Sequence, residues 1–179
     1  MSDVYAIFGT LLALGIAFPG LLTAWRLLFP GKVAAAQRRV AATPWKTFFM
    51  GLGSTLVALV PIFILISIPV PFSRFLGAIT IFGVLGFAAI GAAGIAAHMG
   101  AQMRISEKGE TNSEIGAFVR GAVALELAAA FPLIGWLVVI PVTLITSLGA
   151  SVSALFGWEP KTKSEAGKIN TAIAGEAEA

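Results

Sequence analysis

Long apolar runs, each broken by a short basic stretch, constrain this chain more than any other feature. From Val4 to Leu28, Thr47 to Pro69, Phe75 to Ala101 and Ile115 to Gly157, most residues are Leu, Ile, Val, Ala, Phe or Gly. Such runs match or exceed the ~18–20 residues that cross a bilayer as a helix. Backbone in lipid must satisfy its own hydrogen bonds, so runs of this length are helical. Charged residues make up 12% of the chain and hydrophobic ones 58%, whereas a soluble domain is about a quarter charged. The mean hydropathy is +0.92. The expected fold class is therefore an all-α polytopic membrane protein.

The inventory for chemistry is small. There are no cysteines, one histidine and nine carboxylates. Disulfides, thiolate metal sites and cysteine nucleophiles are excluded. No phosphate loop, dinucleotide glycine pattern or metal-ligand cluster is present, so neither an enzyme nor a bound cofactor is expected. The formal charge is +3, but the basic residues flank apolar spans, where anionic headgroups sit. Lipid, not nucleic acid, is the partner this implies. The start reads Met1, Ser2, Asp3, without the basic n-region of a cleavable signal.

Five spans are expected, at about 4–28, 47–69, 75–101, 115–131 and 133–157: one N-terminal span followed by two helical hairpins. The fourth is short, and a re-entrant hairpin over 115–157 is the alternative. Pro132, Leu133, Ile134 and Gly135 favour a tight reversal between two spans. The transmembrane domain covers 1–158, and residues 159–179 read as a flexible cytoplasmic tail. Lysine and arginine set the orientation. Arg26, Lys32, Arg38, Arg39 and Lys46 precede the second span, Arg104 and Lys108 follow the third, and Lys161, Lys163 and Lys168 lie in the tail. An odd number of spans puts all three groups on one side. The N-terminus is then outside and the C-terminus cytoplasmic, in the cell (inner) membrane. Arg26, Arg38, Arg39, Trp45, Lys46 and Trp158 are the expected interface anchors.

Pro30 and Pro44 bracket a short segment with Val33, Ala36, Val40 and Ala41 at helical spacing. This predicts an interfacial helix on the cytoplasmic membrane face. Lys46 to Pro61 and Arg120 to Pro132 share a grammar, with Gly51 and Gly121 at similar distances before a proline. They predict a parallel pseudo-repeat of two hairpins. Pro19, Pro61 and Pro141 fall inside spans, where each frees a carbonyl that a neighbour or a wet cavity must meet.

The third span carries small residues at four-residue spacing, Ala88, Ala92, Ala96 and Gly100, with Gly83 earlier. Gly149, Ser153 and Gly157 repeat the interval in the fifth. Such stripes let backbones approach closely. The third span should be the most enclosed helix, with part of its stripe open to another membrane subunit or a second copy.

Glu126 is the one carboxylate well inside a span, about 16 Å along the fourth helix. A charge there costs ~2.5–3.5 kcal/mol or more. The group is accordingly neutral, paired or facing water. Ser54, Thr55, Thr143 and Thr146 are candidate hydrogen-bond partners; a proton- or cation-sensitive role is the functional alternative. His98, near the end of the third span, is the one candidate for holding a cofactor.

Phe29-Pro30-Gly31, Thr43 to Gly51 (TPWKTFFMG) and Leu125 to Trp136 (LELAAAFPLIGW) resemble a group of small bacterial polytopic membrane proteins of unassigned activity. Their membrane domain is similar to that appended to some bactofilin-like polymer-forming proteins. The likeness covers roughly residues 26–157. It implies a helical membrane domain and, without the β-rich polymerising part, no cytoskeletal role. The leading functional expectation is a non-enzymatic structural or accessory subunit of a membrane complex, or a small homo-oligomer. Alternatives are a small transporter or channel using Glu126 and a redox or pigment subunit using His98.

Overall fold

Proline punctuation sets the helix starts. The computed structural model describes residues 2–106 and 113–157. Helix α1 runs Ser2–Leu28, α2 Pro30–Ala42, α3 Pro44–Ser67, α4 Pro71–Ser106, α5 Glu114–Ala130 and α6 Ile140–Leu155, the last preceded by a π-helical turn at Gly135–Val139. Among the described residues there is no strand. Pro30, Pro44 and Pro71 each open a helix, a position where the missing N–H costs nothing and the fixed φ is already helical. Trp158, the tail at 159–179 and the 107–112 segment with Lys108 lie outside the described residues.

Three helices are long and apolar enough to cross a membrane: Pro44–Ser67, Pro71–Met103 and Gly135–Leu155. A shorter apolar stretch covers Gly15–Leu28. The reversal expected near Pro132 is present. Helix α5 ends at Ala130, Phe131 is extended, Leu133 adopts a left-handed φ of 64°, and the Gly135 N–H donates back to the Phe131 carbonyl at 2.8 Å. The two segments are separate helices.

Helix α4 is the hub and touches α1, α2, α3, α5 and α6. Ala88, Ala93, Ala96 and Ala97 are buried with Leu22, Phe118, Ala122 and Leu125 around them. Glycine explains how the backbones come so close. A β-carbon on Gly51 would overlap the Ile145 carbonyl of α6, and one on Gly149 would overlap the Thr47 carbonyl of α3. The same reciprocal pattern joins α4 to α5: Gly100 faces the Ala117 carbonyl and Gly121 the Ala96 carbonyl. In each case a glycine meets the carbonyl four residues before its partner glycine. Helix α4 also meets α6 where Gly91 abuts Ser147, beside a 2.7 Å hydrogen bond from Ser151 Oγ to the Phe87 carbonyl.

Helix α2 has the expected bounds but a different surrounding. Half of its apolar face turns into the protein, while Val40 is half-buried and Ala41 exposed. Val33 and Ala36 are buried, Ala36 sits against Gly94 of α4, and Ala150 and Ala154 of α6 share its cluster. The reason is steric: alanines on α2 and a glycine on α4 let the helix descend onto the bundle. Lys32 Nζ donates to the Ala154 carbonyl at 3.1 Å, meeting a carbonyl that the α6 C-terminus leaves open. Arg26 lies 3.8 Å from Glu114. The end of α1, all of α2, the start of α3 and α5 and the end of α6 thus gather at one end of the bundle. Most of the described basic residues are there.

Candidate functional site

Among the described residues, helix α5 positions the only carboxylate in the middle of this bundle. Its start is fixed by Ser113, whose Oγ accepts the Gly116 N–H at 3.0 Å, and by Glu114 in the first turn, a favourable place for negative charge. Glu126 follows three turns later. Leu125 beside it is buried in the core. Ala129 and Ala130, three and four residues on, share the Glu126 face and are too small to cover it.

Around that face the helices leave a cavity of about 480 Å³. Helix α1 contributes Phe18 and Leu21, and α4 contributes Leu85, Ala88, Ala89 and Ala92. The fourth wall is α6, with Ile140, Thr143, Leu144 and Ser147. The size falls within the ~300–1,000 Å³ range of small-molecule pockets. Leu21, Leu85 and Leu144 at its rim are also exposed, so the cavity opens sideways, onto the surface that apolar residues cover.

Polar groups on this wall are few and unspent. Among the described residues, Glu126 has no hydrogen-bond or ion-pair partner. Its Oε1 lies 3.6 Å from where a β-carbon on Gly15 would stand, so the carboxyl lies against bare α1 backbone. Pro19 is inside α1 and has no N–H for the Gly15 carbonyl, the acceptor four residues earlier. Ser147 is fully buried, and its Oγ has no hydrogen-bond partner among the described residues. An unpaired buried hydroxyl costs ~1–3 kcal/mol. Two polar side chains on the cavity wall, Glu126 and Ser147, therefore lack partners among the described residues.

Two of the four expected partners of Glu126 are bonded elsewhere. Ser54 Oγ donates to the Met50 carbonyl at 2.9 Å and Thr55 Oγ1 to the Gly51 carbonyl at 2.8 Å, both within α3. Thr143 lines the cavity. Ser147 was not singled out in the sequence, although Ser147 and Ser151, four apart, lie on one helix face.

His98 is half-buried on α4, and among the described residues no cluster of three metal-ligating side chains exists. Ala88, Ala92, Ala96, Gly100 and Gly149 are buried at helix contacts. Ser153 is buried and donates to the Gly149 carbonyl at 2.8 Å. Gly83 faces open space. Gly157, also in open space, has φ +66° and ends α6 in the left-handed conformation that favours glycine. Of the interface residues, Trp45, Lys46 and Arg38 are exposed and Arg39 is half-buried. Arg26 stacks its guanidinium 4.7 Å over the Phe118 ring.

Comparison with protein-family models, with curated proteins and with solved structures gives no match.

Proposed function

We propose that this chain is a non-enzymatic integral membrane protein of five spans, N-terminus outside and C-terminus cytoplasmic, working as a small transporter through the Glu126 cavity. One observation carries the reading: a carboxylate without a partner among the described residues borders a cavity that opens onto an exposed apolar surface. A glutamate serving only as packing glue would be hydrogen-bonded to a neighbouring helix. The collection of basic residues at one bundle end supports the orientation. The matching glycine crossings support two parallel-related hairpins.

The accessory-subunit reading drew on the small-residue stripe of α4. Helices α2, α5 and α6 cover that stripe within the chain, so it offers little to a second subunit. The cofactor reading rests on His98 alone, which belongs to no cluster of three metal-ligating side chains among the described residues.

Flux into proteoliposomes tests the proposal. The parent protein should carry a proton or cation current across the bilayer, read with an internal pH dye. Glu126→Gln should abolish it. Absence of current in the parent, or an unchanged current in the variant, removes the transport reading. Reporter tags on the two termini should emerge on opposite sides; the same side for both would end the five-span reading.

A further inference from the structure

We propose that the Glu126 cavity binds a lipophilic amine, a protonated primary ammonium on an apolar body of small-molecule size. The inference rests on the cavity being the functional site and goes further by naming the ligand class.

Three features of the wall point to that chemistry. The first is charge: among the described residues, Glu126 is the only carboxylate bordering the cavity, and no cation lines it. Its complement is a single positive charge, and in low dielectric an unmatched charge is costly. The second is hydrogen-bonding type. The carboxylate is an acceptor, and the Thr143 and Ser147 hydroxyls on the wall accept as readily as they donate. A primary ammonium brings three donors and no acceptor. A carboxylate or phosphate headgroup brings acceptors only and would add like charge beside Glu126. The third is shape. Apart from Glu126, Thr143 and Ser147, the wall is alanine, leucine, isoleucine and phenylalanine, a surface for hydrocarbon. The opening lies among residues that face lipid, so the ligand arrives from the bilayer, with its chain already dissolved there.

The position along α5 sharpens this. Glu126 is four residues before the helix end at Ala130, and Glu114 and Arg26 mark the basic end. The cavity therefore lies in the half of the bundle away from the basic residues. A cation meets no described cluster of positive charge on its way in.

The test uses matched probes that differ only in headgroup: decylamine, decanol and decanoate. Each is equilibrated by dialysis against phosphatidylcholine nanodiscs carrying the full-length protein, with empty nanodiscs as the partition control. Decylamine should bind saturably and about tenfold or more tightly than decanol, the difference expected of one charge-assisted hydrogen bond. Decanoate should show no saturable binding. Glu126→Gln should bring decylamine down to the decanol level and leave decanol unchanged. Ala89→Leu, which fills the cavity without touching the carboxyl, should weaken both. A melting curve for each variant separates lost binding from lost folding. Equal binding of decylamine and decanol, insensitive to Glu126→Gln, overturns the amine assignment while the cavity stands as a ligand site. No saturable binding of any probe overturns the site itself.

Discussion

At the scale of single residues, two kinds of position matter: those where a side chain is missing and those where a polar group is left over. Gly51 and Gly149 belong to the first. A β-carbon on Gly51 would meet backbone of Ile145, which cannot rotate away as a side chain end does. Gly51→Ala should therefore destabilise by ~1–3 kcal/mol, the range for overpacking a tight contact. Gly53, two residues on, has open space around its β position. There the same change should be neutral, or stabilising by up to about 1 kcal/mol through helix propensity. Thermal unfolding of both variants in one detergent checks the contrast, and equal melting would deny the crossing. Ser147 belongs to the second kind. Ser147→Ala removes a buried hydroxyl that has no hydrogen-bond partner among the described residues, so it should raise stability by ~1 kcal/mol. A lower melting temperature would mean that the hydroxyl is already bonded. Stability gained by deleting a functional group is the usual trade at a binding site.

At the scale of elements, the prolines made the helix starts legible. Pro30 and Pro44 bracket α2, and Pro132 marks the reversal after α5. What α2 packs against was not legible. The spacing of Val33 and Ala36 announces an apolar face, but an apolar face reads the same whether it meets lipid or protein. The deciding residue is Gly94, on another helix and far along the chain. The Glu126 site was half legible for the same reason. Its depth follows from counting residues along one helix, whereas the orphaned Ser147 depends on how α6 rotates against α4. The packing of α2 gives a clean test. Ala36 is fully buried and Ala42 exposed. Ala36→Leu should cost ~1–3 kcal/mol by overpacking, while Ala42→Leu should stay within about 0.5 kcal/mol. A helix merely resting on lipid would bind more strongly with the added leucine at position 36. A gain in stability there would restore the surface-helix reading.

At the scale of the whole molecule, the two hairpins hold each other more than they hold themselves. Helix α3 crosses α6 at Gly51 and Gly149, and α4 crosses α5 at Gly100 and Gly121. Exchanging α3 with α5 and α4 with α6 turns one crossing into the other. The weak grammar shared by Lys46 to Pro61 and Arg120 to Pro132 thus has a physical content: equivalent glycines make equivalent close approaches, each across the hairpins. Without a hydrophobic drive between helices in lipid, such backbone contacts carry association. The arrangement also builds the site, because Glu126 comes from one hairpin and Leu85, Ala88 and Ala92 from the other, with α1 closing the side. Cutting the chain between Lys108 and Gly109 therefore separates the two hairpins without breaking a described helix. Expressed together, the halves should co-purify in equal amounts and retain the melting transition of the intact chain. Expressed singly, the C-terminal half should lose both glycine crossings, leave Glu126 without its cavity, and be degraded. Gly121→Leu in the C-terminal half should abolish co-purification, since its side chain would stand where the Ala96 carbonyl lies. If the separated hairpins instead accumulate as stable, non-associating species, then each folds on its own contacts, and the interlocking of the two crossings is not what holds the bundle together.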